Sequence, residues 1–501
     1  MKKRAGFFAR LKRGFNVVVG GGESGGGWAA SAINRLLMDW VSRGITSESD
    51  LTSDLVTLRN RARELAGNNA YASAYLNLVS VNVVGPTGFS LSAKVRALDG
   101  KLDKDKNHII EEGWYSWADK PVTRDERLDF VSLQHLLIRS VARDGEAFVR
   151  IWVDPDATHG ILLEPIDATL IDESKNMSGK NGEPVIKAGI EMNAFGKPVA
   201  YWVRDPEKSI SARVNADEII HLYRSHVASQ VRGVSWLAPA MITLQHIRGY
   251  VEAELVAARA GSAKMGFFVN KDGTGALDPS VGGDKEINME ASPGSMEILP
   301  PGYSFEQWNP DHPSAAFPSF IKTALREVAT GWHVSYNALA NDLEGVNYSS
   351  MRSGMLIERD VWKTLQQWWI PTFLNRVYKA WLMSSALKGT LKLKPVELDL
   401  YLPCKWTPRG WSWVDPLKDV QAGILMIENH LASHGQLLEE QGLGYEEVLE
   451  QLKLEQDMAK EAGLKIEKAD PNKGPSKAPK DPDEKDPEDN EDGEDHEAEE
   501  D

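Results

Sequence analysis

The chain has 501 residues, a formal net charge of −16 at pH 7 and 42% apolar residues, enough for roughly two to four domains with ordinary cores. A single cysteine, Cys404, excludes a disulfide framework and a multi-cysteine zinc site. No apolar run approaches the ~18 residues of a membrane span, and the basic N-terminus lacks the apolar stretch of a secretory signal. We therefore expect a soluble protein made inside the cell.

Charge is distributed unevenly along the chain. Residues 470–501 hold fifteen acidic and four basic side chains, a net of −11, which leaves −5 for residues 1–469. This acidic, proline-rich composition predicts a disordered tail over residues 466–501. At the other end, a basic, glycine-rich stretch predicts a flexible arm over residues 1–29. The body between them is mildly acidic, so composition lacks the strongly basic footprint typical of nucleic-acid-binding proteins.

The first half of the chain predicts a mixed α+β body over residues 30–235. Helical patterns come first, with apolar residues three and four apart, over 52–65, 70–84, 103–118 and 130–143. The pattern then changes to that of strands. We expect these at 146–153 and 160–171, in a hairpin of 185–192 with 197–204, and at 216–223.

From Trp236 onward helical patterns dominate again. Small residues recur through a predicted helix at 236–265, which would let neighbouring helices pack closely. A Gly/Pro-rich stretch at 266–316 contains only short strand candidates. A helix at 317–334 and a polar loop at 335–350 follow.

A long helical pattern spans residues 351–387 and places Trp362, Trp369 and Trp381 on one stripe, which indicates packing in a core. Pro371 lies within this pattern, where it removes a backbone hydrogen bond and predicts a kink. The remainder of the region up to residue 414 contains a strand-like stretch at 392–401. Asp415 and Pro416 then open a helical hairpin, since a cap followed by proline is typical of a helix start. Its helices extend over 415–465.

Two glycine motifs near the N-terminus have a simple explanation. The spacing Gly20-x-Gly22-x-x-Gly25 matches a dinucleotide-binding fingerprint, but no second strand ending in an acid follows it. Residues 22–26 also match the Gly-x-Ser-x-Gly pattern of a nucleophile elbow, without a hydrolase topology around it. A flexible linker explains both matches. The chain also lacks a Walker A pattern, which argues against an ATP-driven motor.

Two further groups of residues could form a metal site or a catalytic site. His430 and His434 lie four residues apart on a predicted helix, but no third metal ligand is evident nearby. Asp144, Glu146 and Asp167 could supply paired carboxylates for acid–base hydrolysis, although a helix-to-strand turn also explains the first two. The residues alone favour a structural or assembly protein over an enzyme, and they predict no catalytic residue, cofactor or metal site.

Several moderately specific segments occur in one order between residues 50 and 465. They are RARELAGNN at 61–69, RDGE at 143–146, RGVSWLAP at 232–239, EAELVAA at 252–258, LPPG at 299–302, VNYSSMR at 346–352 and WSWVDP at 411–416. Together they resemble the portal proteins of tailed bacteriophages, in particular the lambda-type family. The basic arm and the acidic tail lie outside the resemblance.

The resemblance implies an α+β multidomain portal fold. Such a fold has an α+β wing, a helical stem, a small α/β clip and a helical crown, to which this chain adds a disordered acidic tail. The expected parts are the wing at 30–235, stem helices at 236–265 and 317–334, the clip at 266–316, a tunnel loop at 335–350, a long kinked helix with a wing return at 351–414, and the crown at 415–465.

The resemblance also implies a function without catalysis. Portal proteins form a ring homo-oligomer, typically a dodecamer, at one capsid vertex of the virion, through which double-stranded DNA is packaged and ejected. The expected partners are the terminase large subunit, which would carry the ATPase, the major capsid and scaffold proteins, the head–tail connector protein, and DNA bound without sequence preference. The resemblance implies no cofactor and no membrane, and it implies assembly in the cytoplasm of the bacterial host.

The resemblance places candidates for contact with DNA in the tunnel loop. They are the residues that match the family's loop: Asn347, Tyr348, Ser349, Ser350 and Arg352. We expect any such contacts to reach phosphate and to carry no base readout.

Two enzymatic alternatives stay open from the sequence. The first is a phage-associated hydrolase that uses Asp144 and Glu146, or Asp167, and it predicts that alanine at these positions abolishes activity in a folded protein. The second is a dinucleotide-dependent enzyme, which predicts that deletion of residues 1–27 abolishes cofactor binding. A portal protein would keep its folded body after that deletion.

Overall fold

The computed structural model describes residues 48–463, apart from 180–183, 206, 208–209, 263–265, 271–302, 308–315, 346 and 412–415. The chain divides into two compact units, which part between Arg409 and Gly410. The predicted arm over 1–29 with its glycine motifs, the acidic tail over 466–501 and most of the predicted clip lie outside the described residues.

Four helices open the first unit: α1 (Glu48–Asn68), α2 (Ala70–Val83), α3 (Lys104–Ala118) and α4 (Phe130–Asp144). Each of the last three begins at a side-chain cap. The side chains of Asn69, Asp103 and Asp129 accept hydrogen bonds from backbone N–H groups in the first turns of α2, α3 and α4, which satisfies donors that a helix start leaves free. Helices α1, α2 and α4 pack against one another through buried apolar side chains.

The described strands form four antiparallel sheets. Two of these are pairs, in which β1 (Ser90–Ala93) meets β12 (Cys404–Thr407) and β10 (Gly266–Asn270) meets β11 (Tyr303–Gln307). In a three-stranded sheet, a central strand lies between two others, and Phe148 pairs with Ile166 on one side and His221 on the other. Its members are β2 (Glu146–Val153) in the centre, β3 (Ile161–Ile166) and β9 (Ile219–Tyr223).

The fourth sheet has five strands in chain order: β4 (Met177–Ser178), β5 (Val185–Lys187), β6 (Ile190–Met192), β7 (Pro198–Asp205) and β8 (Ile210–Asn215). The prediction of one strand over 185–192 is wrong, because Ala188 and Gly189 both adopt positive φ and turn the chain back on itself. The predicted hairpin turn is confirmed, since the side chain of Asn193 accepts hydrogen bonds from the backbone of Phe195 and Lys197 between β6 and β7.

Two apolar cores hold the first unit together. One contains side chains of both larger sheets, including Phe148, Tyr201 and Ile219. The other is rich in tryptophan. The fully buried ring of Trp114 on α3 makes edge-to-face contacts with its neighbours, with a centroid distance of 5.2 Å to Trp381. Aromatic rings contributed by distant parts of the chain therefore join α3 to the C-terminal part of this unit.

Two long helices follow the sheets. A single turn of 3₁₀ helix at Ala238–Ala240 leads into α5 (Met241–Ser262), which packs on α6 (Phe317–Gly331), where the ring of Tyr250 stacks on that of Phe317 at 5.5 Å. The helix predicted at 317–334 thus ends three residues early, at a turn in which Trp332 is buried against Tyr75.

The segment predicted as a polar loop at 335–350 is partly helical. A five-residue helix, α7 (Tyr336–Ala340), occupies its first part, with Ser335 as the cap. The next helix, α8 (Tyr348–Trp369), takes its last residues. Among the described residues of this segment after Ser335, residues 341–345 and 347 lie outside both helices.

At Pro371, where a kink is predicted, a π-helical turn, Ile370–Leu374, interrupts the α-helical pattern between α8 and α9 (Asn375–Lys388). The tryptophan stripe is confirmed as core, since Trp362, Trp369 and Trp381 are all buried. The strand predicted at 392–401 is wrong. A 3₁₀ turn at Pro395–Glu397 and a short helix, α10 (Leu398–Tyr401), occupy it, and the strand follows as β12.

The second unit is helical where it is described, with α11 (Pro416–Glu428), α12 (His434–Glu440) and α13 (Tyr445–Glu461). His430 adopts a positive φ in the turn after α11, and His434 begins α12 behind a capping box on Ser433. The expectation that both imidazoles share one helix is therefore wrong. In the described part of the chain, no three His, Cys, Asp or Glu side chains group to hold a metal, and no helix is long and apolar enough to cross a membrane.

Candidate functional site

Two of the sequence motifs meet at the carboxylate of Glu146, the first residue of β2. Glu146 belongs to RDGE, and Arg232 and Gly233 open the segment RGVSWLAP. Arg59 on α1 and His221 on β9 complete the group. The side chains of Arg59, Glu146, His221 and Arg232 are all at least 96% buried. The cluster therefore lies in the interior and not in a cleft.

The geometry satisfies both oxygens of Glu146. Nε of Arg232 lies 3.0 Å from each oxygen and its Nη2 lies 2.6 Å from Oε1, while Nη2 of Arg59 lies 3.0 Å from Oε1. On the other oxygen, the backbone N–H of Gly233 and Nε2 of His221 both donate at 3.0 Å. A second carboxylate, Glu173, pairs with Arg59 and lies 3.5 Å from Arg232. Two acids thus face two arginines, and the buried charges balance.

Two backbone segments beside this cluster, at Gly145 and at Gly233, approach each other closely. Gly145 has a φ of +94° at the end of α4, and an added Cβ would lie 2.4 Å from the backbone of Val234. An added Cβ on Gly233 would lie 2.1 Å from the carbonyl oxygen of Gly145. Only glycine at both positions allows the two segments to touch. The start of β2 is thereby joined directly to the segment that leads into α5.

The electrostatics keep Glu146 ionised. Burial alone would raise its pKa, but the nearby Arg232 charge and the hydrogen bonds from His221 and Arg232 outweigh this and hold the pKa well below its ordinary value. Burial lowers the pKa of His221. At neutral pH the imidazole is therefore neutral, and it donates its Nε2–H to the carboxylate.

Asp144 and Asp167 are also paired with arginine. Arg63 and Arg143 each make two hydrogen bonds to Asp144, at 2.9 and 2.7 Å, so this buried carboxylate is enclosed by guanidinium groups. Arg63 also reaches Asp167 at 2.8 Å. Burial would raise the pKa of Asp167, but the hydrogen bonds from Arg63 and Thr169 lower it to about 2.

These carboxylates are unsuited to the acid–base role that the sequence left open. A general acid needs a raised pKa and access to substrate, whereas the pKa values of Glu146 and Asp167 are lowered. Asp144 and Glu146 are also buried beneath their own partners. The arrangement ties α1, α4, β2 and the segment before α5 together, and it offers no catalytic pair.

The predicted DNA-channel candidates lie where the chain enters α8. Asn347 is exposed, and its side chain caps the helix by accepting a hydrogen bond from the backbone of Ser350 at 2.8 Å. Ser350 is exposed and Arg352 is half-buried. The side chains of Tyr348 and Ser349 lie outside the described residues, although both belong to the first turn of α8.

Sequence reasoning missed two members of the buried cluster, Arg59 and His221. A signal for the first is present. Arg59 shares a helical face with Leu55 and Ala62, both buried, so a charged residue at this position requires an ionised partner inside the protein. His221 lies within the apolar strand IIHLY, where strand alternation alone does not identify its partner.

The described fold is mixed α+β, and its buried charges are paired with one another. The sequence profile of the phage portal protein, lambda family, matches residues 33–366. The chain is 35% identical over 436 residues to the probable portal protein of Halomonas phage phiHAP-1, covering 83% of this chain and 84% of that one. It is 19% identical over 492 residues to portal protein B of Escherichia phage lambda, covering 89% and 91%. The chain belongs to the lambda family of phage portal proteins.

These relatives are named as portal proteins, which are structural and not enzymatic, and the same holds for this chain. Among solved structures, a chain in the neck of an empty gene transfer agent particle is similar with a TM-score of 0.44 and 16% identity, covering 78% of this chain and 93% of that one.

Proposed function

We propose that the chain forms a closed ring at one vertex of a phage capsid, as a dodecamer, and that double-stranded DNA passes through this ring during packaging and ejection. The observation that carries the proposal is the family match over residues 33–366, which includes strands β1 to β11, the buried cluster around Glu146 and most of α8. A protein that forms a ring at one vertex of the virion would act as a structural channel, and this role needs no catalytic group.

The surface of the single chain supports assembly with other copies. Large apolar side chains stay exposed on several helices, with Ile242 on α5 at 69% and Ile357 on α8 at 70% of their full exposure. Others follow the same helices or their neighbours: Leu255, Val256, Phe320 and Leu356. A face of a helix that carries exposed apolar side chains can be covered by another subunit. A ring of identical subunits would cover them.

The proposal assigns a role to each part of the chain. In the ring, residues 30–235 would form the wing, residues 236–265 and 317–334 the stem, and residues 335–350 the tunnel loop. The long kinked helix and the wing return would follow at 351–414. The clip at 266–316 would dock the terminase large subunit during packaging and the head–tail connector protein afterwards, and residues 415–465 would form a crown that faces the capsid interior. The major capsid and scaffold proteins would meet the ring during assembly in the host cytoplasm.

The mildly acidic charge of the chain is compatible with a channel that lets DNA pass without binding it tightly. Duplex DNA carries about one negative charge per 1.7 Å of its axis, so a strongly basic wall would hold it back. The body of this chain is mildly acidic, and the connection before α8 includes Asp342 and Glu344. Asn347, Ser350 and Arg352 would touch phosphate without reading bases.

The test is packaging in infected cells. Phage whose copy of this gene is interrupted should yield no particles with nuclease-protected DNA, and the intact gene supplied from a plasmid should restore them. Supply of a chain that lacks residues 236–334, the proposed stem and clip, should not restore them. Protected DNA at the normal level without the intact chain would overturn the proposal.

A further inference from the structure

The two ends of the connection between α7 and α8 are held in different ways. Its last residue, Asn347, caps α8. Its first residues, 341–345, which we call the loop start, are held through the carboxylate of Asp342. This carboxylate accepts hydrogen bonds from Tyr336 Oη at 2.8 Å and from the backbone N–H of Glu344 at 3.0 Å. Lys322 Nζ lies 3.0 Å from it.

These bonds cross between elements. Lys322 lies on α6, Tyr336 on α7 and Asp342 in the loop start. Two side chains of α6 also make cation–π contacts with Tyr336. Nζ of Lys322 lies 5.6 Å and the guanidinium of Arg326 lies 5.7 Å from the centroid of the tyrosine ring. The loop start is therefore joined to α6 by a carboxylate, an ammonium group and an aromatic ring.

The groups that face Asp342 keep it ionised. Hydrogen bonds from Lys322, Tyr336 and the backbone of Glu344 lower its pKa to about 2. Partial burial and the hydrogen bond to Asp342 raise the pKa of Tyr336 to about 12, with Tyr71 on α2 and Arg326 as the other nearby charges. Asp342 is consequently ionised and Tyr336 protonated across the whole range from mildly acidic to mildly basic pH.

A separate bond fixes the other end of α7. The backbone N–H of Ser335 donates to Glu358 on α8 at 3.1 Å, and Nε1 of Trp362 donates to the same carboxylate at 3.3 Å. Helix α8 therefore holds the start of α7, and α6 holds the loop start. Elsewhere in the loop start, Leu343 is 63% exposed, and no atom lies within 4 Å of the position of a Cβ added to Gly345.

We propose that Asp342 is a latch that ties the loop start to α6 through Lys322 and Tyr336, so that a displacement of α6 carries the loop start with it. The geometry of the latch is independent of any role in a particle. Its consequence, that α6 sets how far the loop reaches into a DNA channel, rests on the proposed function.

The latch is tested by hydrogen–deuterium exchange on the full chain. Asp342→Asn removes the charge but keeps an oxygen acceptor, and Lys322→Met removes the ammonium group. Backbone amides of the loop start should exchange at least about threefold faster in both variants. The charge-exchanged double variant Lys322→Asp/Asp342→Lys should recover part of the protection.

The chain offers a matched control. Glu397 also accepts from a tyrosine hydroxyl, Tyr401 at 2.8 Å, and from a lysine, Lys394 at 3.2 Å, in a different part of the first unit. Glu397→Gln should leave exchange of the loop start at the wild-type rate. Wild-type exchange in folded Asp342→Asn and Lys322→Met, judged by unchanged circular dichroism, would overturn the latch.

Packaging separates the latch from the proposed function. If Asp342→Asn accelerates exchange and lowers nuclease-protected DNA more than Glu397→Gln does, both the latch and its consequence are supported. Faster exchange with normal packaging would support the latch and contradict a role for the loop start in the channel. Normal exchange would overturn the latch alone, whether or not the wild-type chain packages DNA.

Discussion

At the scale of single residues, Glu146 shows why a buried charge can be tolerated. Five donor atoms surround its carboxylate: Nη2 of Arg59, Nε and Nη2 of Arg232, the N–H of Gly233 and Nε2 of His221. A buried ion pair adds little net stability, because desolvation offsets most of the attraction. Removal of one partner is different, since the remaining charges then stay buried without compensation.

Glu146→Ala should therefore lower the free energy of unfolding by about 3–5 kcal/mol, because Arg59 and Arg232 would share only Glu173. Glu146→Gln should also destabilise strongly, since it keeps the shape but not the charge. The measurement is urea denaturation followed by circular dichroism. Glu112→Gln, at a side chain that is 74% exposed, should leave the free energy unchanged. Equal stability of all variants would contradict the assignment of Glu146 to a buried cluster.

Stability should also depend on pH below neutrality. Burial lowers the pKa values of His135, His159 and His221 from the ordinary 6.5. Protons then bind the unfolded chain first, so the free energy of unfolding should fall as pH drops below about 6.5. A second loss should follow below pH 3.8 as Asp167 approaches its folded pKa of about 2. Urea titrations at pH 7.5, 5.5 and 4.5 check the first step, and a flat profile would contradict it.

How much of the site could be predicted depends on which residues carry a local signal. Gly145 and Glu146 follow a helix directly, and the turn between helix and strand is visible in the sequence. Their partners Arg232, Arg59 and His221 lie 75 to 87 residues away, and no local pattern connects such distant positions. The expectation that these carboxylates pair for catalysis is wrong for the same reason. The sequence pattern does not show that arginine side chains lie between them in the fold.

At the scale of elements, the contact between β2 and the segment before α5 depends on two glycines. Gly233→Ala and Gly145→Ala should each destabilise by about 2–4 kcal/mol, because a Cβ would overlap backbone atoms at 2.1 and 2.4 Å and Gly145 also has a positive φ. Thermal unfolding in the two variants is the measurement.

A glycine on α1 provides the control for this pair. Gly67 has no atom within 4 Å of the position of an added Cβ, so Gly67→Ala should stabilise the protein by about 0.5 kcal/mol through helix propensity. Destabilisation by all three variants to the same extent would show that the close approach of Gly145 and Gly233 is not the cause.

The sequence predicted elements well where periodicity was long and poorly where it was short. The tryptophan stripe over 351–387 identified a core helix, and Pro371 identified its interruption. In contrast, the strand expected at 392–401 is a 3₁₀ turn and a short helix, in which Tyr401 donates to Glu397. The strand expected at 185–192 is divided by a turn at Ala188 and Gly189, and of these two residues only the glycine gives a turn signal. Short segments are decided by tertiary contacts and not by local pattern.

At the scale of the whole molecule, a single chain leaves many apolar side chains exposed to solvent. The helices of the second unit have almost no buried side chains in the single chain. In the described parts of α11, α12 and α13, Gly423 is the one buried residue. In the first unit, α5, α6 and α8 also expose large apolar side chains. A chain with such surfaces should associate, and the proposed ring is a closed arrangement that covers them by the same contact in every subunit.

The most direct measurement of this central claim is the mass and shape of the purified full-length chain, by native mass spectrometry with negative-stain electron microscopy. The account predicts closed rings with an axial hole and the mass of a dodecamer, formed by the chain alone or once scaffold protein is added. A compact monomer that stays monomeric with scaffold present would contradict it.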